Sequence, residues 1–191
     1  MTASDTAAQL LDEAQGLIMA RGYNAFSYKD LAAAVGIRTA SIHYHFPTKG
    51  DLGVALMQRY VAGLDGALER IDRGSRSASA KIKAFVKLYA ETESAGAICL
   101  CGSLASDIET LPPELQEVVH DYLARSEKWL AGVIAAGIDE GELRYAGRPA
   151  DAAATLLSSL QGGLILSRAR SARTSTLTTV QRVFLELLDA A

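Results

Sequence analysis

Cysteine, proline, histidine and aromatic side chains are all scarce in this sequence of 191 residues, which holds two Cys, four Pro, three His and 6% aromatics. Two cysteines do not make a disulfide framework, and in a reducing compartment free thiols are expected. Runs that alternate like strands are few. No window carries the roughly 18 uninterrupted apolar residues of a membrane span, and the start, MTASDTAAQL, lacks the basic-then-apolar order of a secretion signal. A cytoplasmic protein without membrane attachment is therefore expected. A positive charge excess is also missing: the formal net charge is −3, which argues against a protein that coats nucleic acid along its whole surface.

What is present is helix-forming. Hydrophobic residues make up 49% of the chain, with alanine and leucine prominent, and an all-α fold follows. Leu10, Leu11, Ala14, Leu17 and Ile18 recur at helical spacing before Gly22, which suits a helix C-terminus. Ser27 stands three residues before Asp30, a capping-box start, and Leu31, Ala32 and Val35 give a short apolar face ending at Gly36. A third short helix runs from about Thr39 to Phe46, stopped by Pro47, and Thr48 with Asp51 opens a fourth towards Ile71. RGSRSAS (Arg73 to Ser79) is a polar break. Beyond it lie apolar stripes at Ile82, Phe85, Val86 and Tyr89, from Leu115 to Ile134, from Pro149 to Ile165, and from Leu177 to Leu188.

The stretch SIHYHFPTKGDL (Ser41 to Leu52) concentrates the chemistry of the N-terminal part. On a helix, His43 and His45 are separated by roughly 200°, so they cannot chelate one ion together. Neither His120 nor Cys99 and Cys101 lie near them in sequence, and no metal or cofactor is expected. No serine or cysteine elbow and no paired carboxylate accompanies the histidines, so the chain does not read as an enzyme. Two short helices joined through a glycine-containing turn, the second with only Ile42 and Phe46 for the core, fit a helix-turn-helix. Arg38, Thr39, Ser41, His43, Tyr44 and His45 are hydrogen-bonding or stacking types crowded on that second helix. Between Gly22 and Gly50 the charges are Lys29, Arg38 and Lys49 against Asp30, a local positive excess. Lys49 stands in the first turn of a helix, where the macrodipole disfavours a cation, and a phosphate bound there would reconcile the two. The alternative is that these polar residues coat a solvated helix and that Lys49 is incidental.

The run FSYKDLAAAVGIRTASIHYHFPTKGDL, following Gly22, resembles the DNA-binding domain of the TetR family of transcriptional regulators in its turn, its Tyr-His-Phe ending and its lysine before the next helix. The resemblance implies a helix-turn-helix DNA-binding domain over residues 1–52 and a larger helical effector-binding and dimerisation domain over 53–191. By position, it implies phosphate contacts for Ser27 and Tyr28, base contacts for Thr39, Ser41 and His43, base or backbone contacts for Arg38, and backbone contacts for Tyr44, His45 and Lys49. His43 departs from the family, which most often has tyrosine there.

The resemblance further implies a homodimer that binds a palindromic double-stranded operator and releases it when a small-molecule effector binds. Small residues on the Pro149 helix, among them Ala154, Ser158, Gly162 and Gly163, with Leu177, Phe184 and Leu188 of the last helix, are the expected dimer interface. Phe85, Tyr89, Tyr122 and Trp129 are candidate pocket walls that equally suit plain core. The segment ICLCGSLASDIETLP resembles one branch of the family, some of whose members respond to electrophiles or small unsaturated acids through this region, which brings in Cys99 and Cys101. Two other functions stay open: a thiol-based electrophile or redox sensor acting through Cys99 and Cys101, and an all-helical small-molecule binding protein or enzyme that no longer binds DNA.

Overall fold

The computed structural model describes residues 3–170 and 175–189. Among the described residues there are nine α-helices and no strand: α1 (Ala3–Arg21), α2 (Tyr28–Val35), α3 (Thr39–His45), α4 (Lys49–Gly74), α5 (Ala78–Ser94), α6 (Leu100–Ser106), α7 (Pro113–Asp139), α8 (Pro149–Arg170) and α9 (Thr176–Asp189). Single 3-10 turns at Tyr23–Ala25 and Ile108–Thr110 complete the order. The expected all-α fold class and the three N-terminal helices, the second and third of them short, are present. The polar break is narrower than its composition suggests, because Ser77 caps α5 by accepting the Ala80 N–H at 3.2 Å. Periodicity gave no warning of α6, whose seven residues span barely two turns.

The chain forms two compact units, and they do not follow a single cut. The first comprises the residues up to Gly63 together with Leu100–Tyr122, and the second comprises Leu64–Cys99 and Leu123 onwards. Residue 52 falls inside α4 and inside the first unit.

In the first unit, Leu10, Ala14, Ile18, Leu31, Ile42, Phe46, Leu52, Leu56 and Met57 form the buried core. Their recurrence every three or four residues turns one stripe of each helix inward, and burial of such side chains contributes roughly 1.5–3 kcal/mol each. The later segment joins this unit by specific contacts. Ser103 Oγ donates to the Ile18 carbonyl at 3.0 Å, the Tyr23 N–H donates to Asp107 at 3.1 Å, and Asn24 Nδ2 donates to Thr110 Oγ1 at 2.9 Å.

In the second unit, α5, α8 and α9 pack together over Ile82, Phe85, Val86, Leu156, Leu160, Leu164, Leu177 and Leu188. Gly163 is needed for this approach: a Cβ there would lie 2.7 Å from Leu177 Cδ2. Two carboxylates cap helices from a distance. Glu142 accepts the Ala78 and Ser79 N–H groups at 2.7 and 2.9 Å at the start of α5. Glu93, near the end of α5, accepts from Ser167 Oγ at 2.5 Å, from Ser175 Oγ and from the Thr176 N–H at 3.0 Å at the start of α9. Both satisfy helix N-terminal donors and complement the macrodipole.

Candidate nucleic-acid interface

The turn between α2 and α3 is set locally. Ser27 and Asp30 form the reciprocal capping box expected from their spacing, with the Ser27 N–H to Asp30 Oδ2 at 2.7 Å and the Asp30 N–H to Ser27 Oγ at 3.3 Å. These bonds, with the Ser27 hydroxyl first, hold the Asp30 carboxyl below its ordinary value. Gly36 ends α2 at φ 76°, a left-handed conformation that glycine adopts without a Cβ clash. Arg38 is then extended as the N-cap of α3.

Only Ile42 of α3 is buried, and Phe46 closes its end by donating its N–H to the Ile42 carbonyl at 2.8 Å. That leaves Arg38, Thr39, Ser41, His43 and Tyr44 exposed, with Tyr44 showing 79% of its surface. His45 is half-buried, its ring 5.2 Å from that of Tyr44 in an edge arrangement. Arg38, Thr39, Ser41 and His43, exposed with Tyr44, are hydrogen-bonding types.

Three of the expected contact residues are engaged inside the protein. Ser27 keeps an exposed position, but its hydroxyl is committed to Asp30 Oδ2 at 2.6 Å. Tyr28 is buried rather than presented to a phosphate: its hydroxyl lies 2.9 Å from the Phe46 carbonyl and 2.5 Å from the Thr48 carbonyl. Burial first, then the negative charge of Asp51, raises its pKa well above the ordinary tyrosine value, so it stays a donor.

Lys49 is the most fully engaged of the three. Its ammonium donates to the carbonyls of Tyr23 and Phe26 at 2.5 and 2.6 Å and sits over both aromatic rings, 4.5 and 4.2 Å from their centroids. The cation at the start of α4 is therefore compensated by carbonyl dipoles and π-faces. Desolvation lowers its pKa, and the charges of Asp107 and Asp30 oppose that shift. Tyr23 and Phe26 carry this role without any linear signal, because nothing in the chain between 26 and 49 announces the pairing.

His43 is oriented as well as exposed. Its Nδ1 lies 2.9 Å from the Pro47 carbonyl, and its ring stands edge-on to Tyr28 at 4.9 Å. A carbonyl oxygen only accepts, so Nδ1 carries the proton and Nε2 points away from Pro47. The first unit also has a surface groove of about 460 Å³ lined by Thr48, Gly50, Asp51, Val54, Ala55, Gln58, Pro112 and Glu114. None of the expected effector residues is among them.

Those effector candidates divide. Phe85, Tyr89 and Trp129 come together in the second unit, where Phe85 stacks on Trp129 at 5.6 Å and lies 5.5 Å from Tyr89. The Trp129 indole N–H donates to Asp72 at 3.0 Å, and Gln161 approaches the Tyr89 hydroxyl at 3.5 Å. Tyr122 belongs to the first unit and stacks on Tyr60 at 5.2 Å. Cys99 and Cys101 are not joined in a disulfide and are 2% and 0% exposed, and Cys101 Sγ approaches the Val119 carbonyl at 3.9 Å. Among the described residues no cluster of three or more His, Cys, Asp or Glu is placed to hold a metal.

The residues expected at a dimer surface divide. Gly163, Leu177, Phe184 and Leu188 are buried within the chain itself, where α8 packs on α9. Ala154, Ser158 and Gly162 keep some exposure. The outward apolar residues missed in sequence are Ile165, Leu166, Val183 and Leu187, each 44–50% exposed.

A helix-turn-helix that bares the polar face of its second helix, followed by an all-helical body, defines the class of DNA-binding regulators with a helical C-terminal domain. Residues 10–56 match the family described as bacterial regulatory proteins, tetR family, and residues 78–183 match the tetracyclin repressor-like C-terminal domain. The chain belongs to the TetR family of transcriptional regulators. It is similar to the HTH-type transcriptional repressor KstR2 of Rhodococcus jostii (strain RHA1), 26% identical over 145 residues that cover 71% of this chain and 67% of that protein. It also resembles the crystal structure of a TetR family regulator from Agrobacterium tumefaciens, with 29% identity, TM-score 0.94, and 99% and 100% of the two chains covered. A TetR regulator from Legionella pneumophila matches with 33% identity, TM-score 0.85, and 94% and 95% coverage. Among the described residues no helix is long and apolar enough to cross a membrane.

Proposed function

We propose that this protein is a homodimeric repressor that places α3 of each subunit in successive major grooves of a palindromic operator and leaves it when a small molecule binds the helical body. The observation that carries the DNA-binding part is the exposed set Arg38, Thr39, Ser41, His43 and Tyr44 on a helix secured by Ile42 alone in the core. Arg38 at the start of α3, with Lys29 exposed on α2, supplies the positive charge that phosphates need. The name of the Rhodococcus relative supports repression.

Dimerisation is supported by the apolar band Ile165, Leu166, Val183 and Leu187. Ala154, Ser158 and Gly162 extend it along α8 at intervals of four residues, which allows two helix pairs to approach closely. Effector binding is supported by the Phe85, Tyr89 and Trp129 group, where the buried side-chain oxygen of Gln161 has no hydrogen-bond partner among the described residues. A donor on a ligand would satisfy it. The burial of Cys99 and Cys101 disfavours a sensor that reacts directly with dissolved electrophiles.

The test is binding of the purified protein to duplex DNA flanking its own coding sequence over a salt series. Affinity should fall as salt rises, and Arg38→Ala should reduce the slope by about one unit. Absence of binding by folded protein at low salt would favour a helical small-molecule binding protein.

A further inference from the structure

We propose that His43 is a specificity-determining residue that selects, at one position in each half-site, a base presenting an exocyclic amino group in the major groove: adenine or cytosine rather than guanine or thymine. The inference rests on the DNA-binding reading above and adds to it the chemistry of one contact.

The argument starts from the Pro47 carbonyl. It lies 2.9 Å from His43 Nδ1 and has no hydrogen to give, so the imidazole must donate there. A neutral imidazole has one N–H. With that N–H spent on Pro47, Nε2 keeps a lone pair and is an acceptor only. The ring cannot readily turn over to exchange the two nitrogens. Tyr28 stands against it at 4.9 Å, and Tyr28 is itself buried with its hydroxyl held on the Phe46 and Thr48 carbonyls. A flip would also break the bond to Pro47 and place a carbon against its carbonyl oxygen. The fold therefore presents, on an exposed face of α3, a fixed acceptor with a defined direction.

In the major groove, adenine N6 and cytosine N4 are donors, whereas guanine O6 and N7 and thymine O4 are acceptors. A fixed acceptor pairs with the former and is repelled by the latter. The tyrosine most common at this position in the family has a rotating hydroxyl that both donates and accepts and so makes no such distinction.

Selection from a random-sequence duplex library at pH 8 tests this with wild type, His43→Phe and His43→Gln. Wild type should enrich a palindromic motif in which one position per half-site takes adenine or cytosine on one strand. His43→Phe should keep the motif elsewhere and lose that preference. His43→Gln, whose amide can donate or accept, should bind yet discriminate less. On a selected duplex, replacing that adenine by unsubstituted purine should weaken wild type by about three- to tenfold and leave His43→Phe unchanged. Should His43→Phe fail to fold, as judged by helical circular dichroism, the His43→Gln and purine measurements carry the same contrast. Enrichment of guanine or thymine at the position sensitive to residue 43 overturns the proposal, as does an equal loss across all sequences, which would mark a phosphate contact. In both cases DNA binding itself stands. No enrichment by wild type removes the proposal together with the DNA-binding reading.

Discussion

The ammonium of Lys49 lies 2.6 Å from the carbonyl oxygen of Phe26, a residue 23 positions earlier in the chain. Together with its bond to the Tyr23 carbonyl, this ties the first turn of α4 to the loop that precedes α2. Tyr28 makes a parallel tie from α2 to the backbone between α3 and α4. The orientation of α3 is thus controlled from behind by two side chains that do not lie on its exposed face.

Lys49→Met, which keeps the aliphatic stem and removes the donors, should destabilise the first unit by about 1–3 kcal/mol, the cost of leaving polar groups unmatched. Tyr28→Phe should cost about 1 kcal/mol by the same mechanism. Both should reduce DNA affinity without changing the salt slope, in contrast to Arg38→Ala. Urea unfolding and salt-dependent anisotropy measure the two effects, and a slope lowered by one unit in Lys49→Met would restore the lysine as a phosphate ligand.

Glu93 sets a pH dependence. Burial alone would raise its pKa, but hydrogen bonds from Ser167, Ser175 and the backbone of Thr176 and Leu177 outweigh that and hold it below the ordinary 4.5. A carboxyl whose pKa is depressed by folding contributes stability that is fully present above its unfolded value and is lost as pH falls through its folded value. The contribution should therefore be constant at neutral pH and disappear below about pH 4.5. Glu93→Gln should lower the melting temperature at pH 7 and flatten its decline between roughly pH 5 and 3. An unchanged acid profile in the variant would assign that decline to other carboxylates.

The apolar band on α8 and α9 separates association from folding. Val183→Glu and Leu187→Glu, at half-exposed positions, should yield folded monomers by size-exclusion chromatography with light scattering. Leu177→Ala, at a fully buried position against Gly163, should cost about 2–5 kcal/mol irrespective of oligomeric state. Wild-type protein that runs as a monomer at micromolar concentration would remove dimerisation from the proposed function.

Most of the N-terminal architecture was legible because its signals are local. The Ser27–Asp30 and Thr48–Asp51 caps, the end of α2 at Gly36 and the inward Ile42 of α3 depend on neighbours within four residues, so spacing alone predicts them. α6 was not legible, because its seven residues are too few to establish a period. The burial of Leu177, Phe184 and Leu188 inside the chain was not legible for a related reason. Apolar stripes on α8 and α9 mark residues that avoid water, but they do not say whether the cover comes from the same chain or from another.

By itself the sequence determined the fold class, the order of helices in the N-terminal module and the polar character of α3, since each follows from propensity, capping and period within a few residues. Tertiary structure alone decided what the long-range polar atoms do. It turned Lys49 inward onto two carbonyls and buried Tyr28 behind the α3–α4 turn. A lysine or tyrosine can reach partners in any direction, and only the folded backbone brings an unsatisfied carbonyl within hydrogen-bonding distance.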